Sequence, residues 1–310
     1  MDKIVFFHMN QLGDLLFSLP ALKAAKQEPN SKIYSVVNSN LSPLLVSAGL
    51  VDGIIPKNDL SVKIIKKENF DKAVLFSESP NSLITAFLSG VKERVGFNTA
   101  SLSFLLTEKA QRLGVPSLSN NRALGLKAGL KTIESDYANI LNIPKENLSN
   151  VQNWFKSNHL NVAKTIAVSV GASKKRRDKC LDESKWIEVI NILFEKGFDC
   201  VLSGAEWEKE TLTKIAEKCR IKPALFTAEN GILDSAAFLK KSNLFIGIDS
   251  GAMHLAAALG TKCIAVFGYT DPGQVGPMPL ENHIVIKKDS ISQVYPEDIV
   301  ARVIQKMSKG

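Results

Sequence analysis

The sequence predicts an α/β protein made of two doubly wound domains that face each other across a cleft. The chain has 310 residues, and a typical domain has roughly 150. Its composition, 45% hydrophobic and 23% charged, is that of a globular protein. In each half, short apolar strands alternate with helices, which predicts a parallel sheet covered on both faces.

The first half begins with the apolar strand Lys3–Phe7, followed by a helix whose leucines recur at helical spacing. Val91–Leu130 is rich in basic and small residues and has no clear periodicity. The other elements predicted here are strands at Ser31–Val37, Gly53–Pro56 and Lys72–Phe76, and helices at Ser82–Leu88, Thr132–Leu141 and Val151–His159.

The second half repeats the alternation. Its predicted strands are Lys164–Gly171, Phe198–Gly204, Asn243–Ile248 and Lys262–Gly268, and its predicted helices include Asp182–Gly197, Glu206–Cys219, Leu233–Lys241 and Pro296–Met307. We therefore place one domain at residues 1–155 and a second at 156–292. Residues 293–310 form an amphipathic C-terminal helix that we expect to pack back on the first domain.

Bulk properties narrow the class of protein. No apolar run reaches the roughly 20 residues of a membrane span, and the first residues lack the pattern of a signal peptide, so we expect a cytoplasmic protein. The four cysteines and four histidines are scattered without zinc-ligand spacing, and we expect no metal. The net charge of +8 favours a polyanionic partner, which includes nucleic acid, a membrane surface or a phosphorylated substrate.

Four strands of the second half end in glycine, small or acidic residues followed by polar groups. Ligands of open parallel sheets bind beyond the carboxyl ends of the strands, so these segments together predict a nucleotide-type pocket. They are Gly171–Lys179, Gly204–Glu208, Asp249–His254 and Gly268–Pro272.

The stretch Asp249-Ser250-Gly251, with His254 one turn into the following helix, admits two interpretations. The first amides of a helix lack intrahelical partners and favour an anion, and His254 would lean back towards it. Alternatively, Asp249 or Ser250 caps the helix and His254 is a packed core residue.

Two further segments carry candidate chemistry. The run from Lys174 to Lys179 is a solvated loop, a nucleic-acid patch or a diphosphate-binding segment. Asp14, at a strand-to-helix turn, is an N-cap, a general base, or both.

Missing motifs exclude several enzyme classes. The chain has no G-x-G-x-x-G after a strand, no G-x-x-x-x-G-K-[ST], no D-x-D and no G-x-S-x-G. Nicotinamide enzymes, P-loop kinases, metal-held nucleotide-sugar transferases of the single-Rossmann class and α/β-hydrolases are therefore disfavoured.

Three blocks resemble glycosyltransferase family 9, the heptosyltransferases of the lipopolysaccharide inner core, which have two Rossmann-like domains in the GT-B arrangement. The blocks are "LGDLLFSLPALKA", "VGASKKRRDKCLDESKW" with "VLSGAEWEKE", and "IGIDSGAMHLAAALGTKCIAVFGYTDP". The resemblance implies an inverting, metal-independent transfer of heptose, with no cofactor. Its donor would be ADP-L-glycero-β-D-manno-heptose and its acceptor a Kdo–lipid A core.

The resemblance also implies roles for residues. Asp14 would be the catalytic base, Lys179 would contact the donor diphosphate, and Glu208 would hold the ribose hydroxyls. Cys180, Leu181 and Asp182 depart from the family pattern, so Arg176 or Arg177 is an alternative to Lys179. The remaining donor-binding residues would be Ala172, Ser173, Asp249, Ser250, Gly251 and His254.

The family meets its acceptor in the irregular segment of the first half, where the basic residues could bind acidic Kdo or lipid A phosphates. The candidates are Lys92, Arg94, Arg112 and Arg122, with Lys109 and Lys127 nearby. We expect a protein at the inner face of the inner membrane and no nucleic-acid partner. The alternatives are another nucleotide-sugar donor or acceptor, or a non-catalytic relative that binds a nucleotide or nucleic acid.

Overall fold

A computed structural model describes residues 2–114, 116–171, 176–227, 229 and 231–307. The chain divides into two compact units, Met1–Asn142 and Ile143–Gly310. Each unit contains a six-stranded sheet, and all of the adjacent strand pairs are parallel. The predicted α/β class with two doubly wound domains is confirmed.

The first unit has the strand order β3-β2-β1-β4-β5-β6. Buried β1 lies at the centre, between β2 and β4. The strands are β1 Lys3–Phe7, β2 Lys32–Val37, β3 Gly53–Pro56, β4 Lys72–Leu75, β5 Glu93–Phe97 and β6 Glu108–Ala110; the helices are α1 Leu12–Leu16, α2 Leu19–Gln27, α3 Ser42–Ser47, α4 Ser61–Glu68, α5 Pro80–Leu88 and α6 Ser117–Lys127.

The second unit has the strand order β12-β11-β10-β7-β8-β9. Its strands are β7 Thr165–Ser169, β8 Asp199–Gly204, β9 Ala224–Thr227, β10 Leu244–Ile248, β11 Cys263–Phe267 and β12 Ile284–Lys287; its helices are α7 Lys145–Ser157, α8 Glu183–Glu195, α9 Lys209–Lys218, α10 Ile232–Lys241, α11 Gly251–Ala258, α12 Pro272–Val275 and α13 Pro296–Met307.

Local sequence explains where the long helices of the second unit begin and end. Asp182 caps α8 by accepting a hydrogen bond from the Ser184 N–H. Gly197, with a φ of +81°, follows the helix and turns the chain into β8. Trp186, Ile190 and other apolar residues of α8 fall on one face and are fully buried against the sheet.

The segment after residue 90 differs from its prediction. The stretch from Val91 to Leu130, which showed no periodicity, contains β5, β6 and α6. The predicted helix Thr132–Leu141 is wrong, because residues 132–141 form no helix. Asp136 instead accepts a hydrogen bond from the Ala138 N–H at 2.8 Å, and such a local side-chain bond competes with helix formation.

The division between the units follows Asn142 rather than residue 155. Helix α7 therefore belongs to the second unit, where the Asn147 side chain donates to Asp234 of α10 at 2.6 Å. Trp154 of α7 also makes an edge contact with Phe238 of α10, with 5.8 Å between the ring centroids. Helix α13 packs against α8, β11 and β12; its expected packing on the first domain stays a prediction.

Candidate functional site

The second sheet brings the predicted strand-end segments together. The strands β11, β10, β7 and β8 are consecutive neighbours in the sheet, so the segments that follow them emerge at one edge. The strand order reverses between β7 and β10, and such a reversal is where open α/β sheets bind ligands. Ala172 and Ser173, and the basic residues Lys174 and Lys175, lie outside the described residues.

At this reversal Lys179 meets Asp249. Lys179 ends a single 3-10 turn after β7, and Asp249 follows β10 directly. Lys179 Nζ donates to Asp249 Oδ2 at 2.5 Å, and the two side chains are only 15% and 8% exposed. Buried charges are tolerated when they are paired and hydrogen-bonded, so this pair holds a cation beside the end of β10.

The two alternative cations have different surroundings. Arg176 hydrogen-bonds to Asp178 and to the Tyr269 hydroxyl, and its guanidinium lies 5.9 Å from the Tyr269 ring centroid. Arg177 lines a cavity of about 250 Å³ on the other side of the β7 end. Lys179 is the candidate that the fold brings to Asp249.

Helix α11 begins beside this pair. Ser250 occupies the N-cap position, yet its side chain makes no capping bond. Its Oγ is buried and has no hydrogen-bond partner among the described residues. Gly251 occupies the first helical position and adds no side chain that would cover the helix amides. The end of α11 therefore offers unpaired donors to an anion.

His254 lies one turn into α11 and is buried. Burial lowers its pKa to about 4; nearby Asp249 opposes that shift and Lys179 adds to it. The imidazole is therefore neutral at neutral pH, and it can donate or accept a hydrogen bond without adding charge.

Glu208 occupies a position set by two glycines. Its carboxylate accepts a hydrogen bond from the Ala205 N–H at 2.8 Å. A Cβ at Gly171 would lie 1.8 Å from Glu208 Oε1, and one at Gly204 would lie 2.9 Å from Oε2. Gly171, two residues after β7, and Gly204, the last residue of β8, thus leave the space that the carboxylate fills. Partial burial raises the pKa of Glu208, although the Ala205 hydrogen bond opposes this.

Two features of the second unit escaped the sequence analysis. The Tyr269 hydroxyl donates to Asp178 Oδ2 at 2.5 Å, so it connects the loops after β11 and β7 on either side of β10. Trp186 Nε1 is buried without a hydrogen-bond partner among the described residues, and its side chain lines the 250 Å³ cavity with Glu208. Both features arise from contacts between residues far apart in the chain, so no local sequence motif predicts them.

In the first unit, Asp14 lies at the corresponding reversal of strand order, between β1 and β4. It is partly exposed in the first turn of α1, whose N-cap is Gln11. The interpretation of Asp14 as an N-cap is therefore wrong, and its role as a general base stays a prediction. An acidic side chain in the first turn is also stabilised by the helix dipole.

Lys57 fixes the loop that leads into α1, a role that the sequence did not reveal. Its Nζ donates to the His8 carbonyl oxygen at 2.9 Å and to Asn10 Oδ1 at 2.8 Å. Partial burial lowers the pKa of this lysine. The buried His8 ring lies between the hydroxyls of Ser18 and Ser35, each at 3.0 Å.

The four predicted acceptor-binding residues do not lie together. Arg112 follows β6 and pairs with Glu78, beyond the carboxyl end of β4, at 2.6 Å; this is the edge that carries Asp14. Arg122 lies on α6 and donates to the Ile133 carbonyl oxygen. Lys92 precedes β5 and Arg94 is its second residue, so both lie at the opposite edge of the sheet.

The described residues contain neither a cluster of metal ligands nor a membrane-spanning helix. Across residues 2–114, 116–171, 176–227, 229 and 231–307, no group of three or more His, Cys, Asp and Glu side chains is arranged to hold a metal ion. Within the same ranges, no helix combines the length and the apolar character of a membrane span.

Two parallel α/β units, each with a candidate site at its strand-order reversal, form the GT-B fold that solved heptosyltransferase structures share. A family model described as glycosyltransferase family 9 (heptosyltransferase) matches residues 61–297. The chain belongs to this family and is a glycosyltransferase.

Individual relatives agree with this assignment. Lipopolysaccharide heptosyltransferase 1 of Escherichia coli K12 is 26% identical over 303 residues, covering 88% of this chain and 90% of the relative. The structure of E. coli ADP-heptose lps heptosyltransferase II superposes with a TM-score of 0.84 at 19% identity, over 99% of each chain. The structure of E. coli heptosyltransferase WaaC with ADP-2-deoxy-2-fluoro heptose superposes with a TM-score of 0.74 at 24% identity. The superposition covers 98% of this chain and 99% of the WaaC chain.

Proposed function

We propose that the protein transfers a heptose from ADP-L-glycero-β-D-manno-heptose to a Kdo–lipid A type acceptor of the lipopolysaccharide core, with inversion and without a metal ion. The observation that carries the proposal is the paired Lys179 beside the uncapped start of α11. Family membership and the ADP-heptose analogue bound by the E. coli relative support the same donor.

The donor site would act on the leaving group. When the bond between the anomeric carbon and the diphosphate breaks, negative charge grows on ADP. Three kinds of donor would stabilise that charge: the Lys179 ammonium, the first amides of α11 and the Ser250 hydroxyl. Such preorganised donors lower the barrier without a metal. Neutral His254 would add a hydrogen bond, and Glu208 would accept bonds from the ribose hydroxyls. Ala172 and Ser173 are proposed to complete the diphosphate site.

Asp14 would act on the acceptor. Its carboxylate would take the proton of the acceptor hydroxyl as that oxygen forms its bond to the anomeric carbon. Because ADP leaves as the new bond forms on the opposite face of the sugar, the anomeric configuration inverts. Arg112, on the same sheet edge as Asp14, is the predicted acceptor-binding cation whose position best suits an acidic core sugar.

The test follows release of ADP from ADP-heptose in the presence of a Kdo–lipid A acceptor. Asp14→Asn should lower the rate by about 10²- to 10⁴-fold and leave ADP affinity, measured by calorimetry, unchanged. Asp59→Asn, an exposed acid of the same unit, is the matched control and should transfer normally. Normal turnover by Asp14→Asn would remove Asp14 from the mechanism.

The donor and acceptor are tested separately. A panel of nucleotide sugars, each offered with and without the acceptor, should release nucleoside diphosphate fastest with ADP-heptose and only when the acceptor is present. Faster release with another nucleotide sugar would still support a glycosyltransferase, but one that uses a different donor. Tight RNA binding without ADP binding would favour the non-catalytic alternative.

A further inference from the structure

Helix α5 and the short turn after β5 expose an apolar patch on the first unit. Ile84, Phe87 and Leu88 of α5 are 39%, 48% and 57% exposed, and Phe104 is 72% exposed. We call these four residues the α5 patch. Leu83 and Ala86, on the inner face of the same helix, already pack into the core. The outer apolar face is therefore not required by the fold.

Arg94 joins the two parts of the α5 patch. Its guanidinium lies 5.4 Å from the Phe87 ring centroid, and its Nε donates to the Leu105 carbonyl oxygen at 2.7 Å, next to Phe104 in the chain. Its NH1 group also donates to the carbonyl oxygen of Lys92 at 3.2 Å. Helix α5 also packs against the turn Ser103–Leu105, so the two parts lie on one surface, and a cation lies beside Phe87.

The elements around the α5 patch are positively charged. Helix α4 packs beside α5 and exposes Lys63, Lys66 and Lys67, while exposed Lys92 follows α5. Among the described residues, none of these four lysines forms an ion pair with an acid. Glu68 is the one acid within α4, α5 and the turn Ser103–Leu105, and it pairs with Lys3.

We propose that the α5 patch and these lysines dock the protein on an anionic phospholipid bilayer. Exposed apolar side chains bordered by lysines suit the boundary between headgroups and acyl chains. A second copy of the chain fits less well, because a symmetric contact would bring the lysines of both copies together. The proposal rests on the proposed function for its purpose, because docking would hold the enzyme at a bilayer that carries a lipid-linked acceptor.

Docking would assign Lys92 and Arg94 a new role. Both were predicted to bind the acceptor, yet they lie at the sheet edge opposite Asp14. At the border of the α5 patch they would contact lipid headgroups instead.

The experiment measures co-sedimentation of the full chain with vesicles of phosphatidylcholine alone or mixed with phosphatidylglycerol, without donor or acceptor. We expect much stronger binding to the anionic vesicles. Replacing Lys63, Lys66 and Lys67 together by Gln should weaken that binding about 100-fold at low salt, at about 1 kcal/mol for each lysine. Phe87→Ser and Phe104→Ser should each weaken it about tenfold through lost apolar burial.

Matched controls lie elsewhere on the same unit. Leu126→Ser removes a side chain on α6 that is 47% exposed, and Lys131→Gln removes an exposed charge; both should bind like the wild type. Equal binding to neutral and anionic vesicles, or wild-type binding by the α5 patch variants, would overturn the proposal. If the wild type self-associates in the absence of vesicles and Phe87→Ser abolishes this association, the surface binds a second copy of the chain instead.

Because no donor or acceptor is present, the vesicle result is independent of whether the chain transfers heptose. A protein that docks but does not transfer would contradict the proposed function alone. One that transfers to a dispersed acceptor but ignores vesicles would contradict the docking surface alone.

Discussion

Lys179 and Asp249 lie 70 positions apart in the sequence and form a nearly buried ion pair. The pair keeps a cation desolvated and oriented, which would favour the diphosphate contact that we propose for Lys179. A carboxylate beside the diphosphate would repel it unless its charge were compensated, and Lys179 provides that compensation.

Lys179→Met should weaken ADP binding about 10- to 100-fold, because hydrogen bonds to charged groups contribute about 1.5–3 kcal/mol. Removing the lysine also leaves the Asp249 carboxylate buried without its partner, which adds repulsion. Calorimetric titration with ADP measures the effect.

Arg176→Gln and Arg177→Gln are the comparison variants, since either arginine was an alternative to Lys179. Both should bind ADP within a few-fold of the wild type. If either loses more affinity than Lys179→Met, the diphosphate contact belongs to that arginine. Melting temperatures of all three variants identify any general loss of stability.

At the scale of elements, the start of α11 differs from an ordinary capped helix end. The Ser250 hydroxyl makes no capping bond, whereas Ser79, the N-cap of α5, accepts a hydrogen bond from the Ser82 N–H. The two serines occupy the same position in their helices and differ in whether the hydroxyl is used. This contrast is the one expected between a structural cap and the anion-binding helix end that we propose for α11.

Ser250→Ala should leave the free energy of unfolding within about 0.5 kcal/mol of the wild type, because no hydrogen bond is lost. It should weaken ADP binding about 2- to 10-fold, the effect of one neutral hydrogen bond. Ser79→Ala should show the reverse, with a loss of about 1 kcal/mol of stability and unchanged ADP affinity. Urea unfolding and calorimetry measure the two quantities. Unchanged ADP affinity in Ser250→Ala would exclude its hydroxyl from the donor site.

Elements also show where local pattern was sufficient. Strands β1, β7, β10 and β11 are short apolar runs with a polar or glycine boundary, and each was predicted within two residues at either end. Strand β6 has only three residues, two of them charged and exposed, so its sequence Glu-Lys-Ala carries no strand signal. Its place in the sheet comes from pairing with β5.

At the scale of the whole molecule, two buried histidines and one partly buried histidine couple stability to pH. Burial lowers the pKa of His8 to about 3 and those of His254 and His283 to about 4, from a value of 6.5. The unfolded chain therefore binds protons that the folded chain does not. The contribution of these histidines to the free energy of unfolding is fully present above pH 6.5. It is lost as the pH falls towards 4.

The free energy of unfolding, measured in urea, should fall between pH 7 and pH 4.5. His8→Asn should lower it at pH 7, because the hydrogen bonds with Ser18 and Ser35 are disturbed, but should make it less dependent on pH. The two curves should approach each other at low pH. Parallel curves for the wild type and His8→Asn would show that His8 does not contribute to the acid sensitivity.

The sequence by itself determined the α/β class and identified the four strand-end segments that meet at one edge of the second sheet. Strand alternation is a local signal, and parallel strands place their carboxyl ends at one edge whatever the order of the strands. The sequence also identified Asp14 as a candidate residue. It did not show that Asp14 lies inside the first turn of α1 rather than at the N-cap.

Tertiary structure decided the rest. It placed α7 in the second unit, separated Arg112 from Lys92 and Arg94, paired Lys179 with Asp249, and fitted Glu208 over Gly171. It also left the α5 patch uncovered. These features depend on contacts between residues far apart in the chain. Periodicity reports which face of an element is apolar, whereas packing alone decides what that face meets.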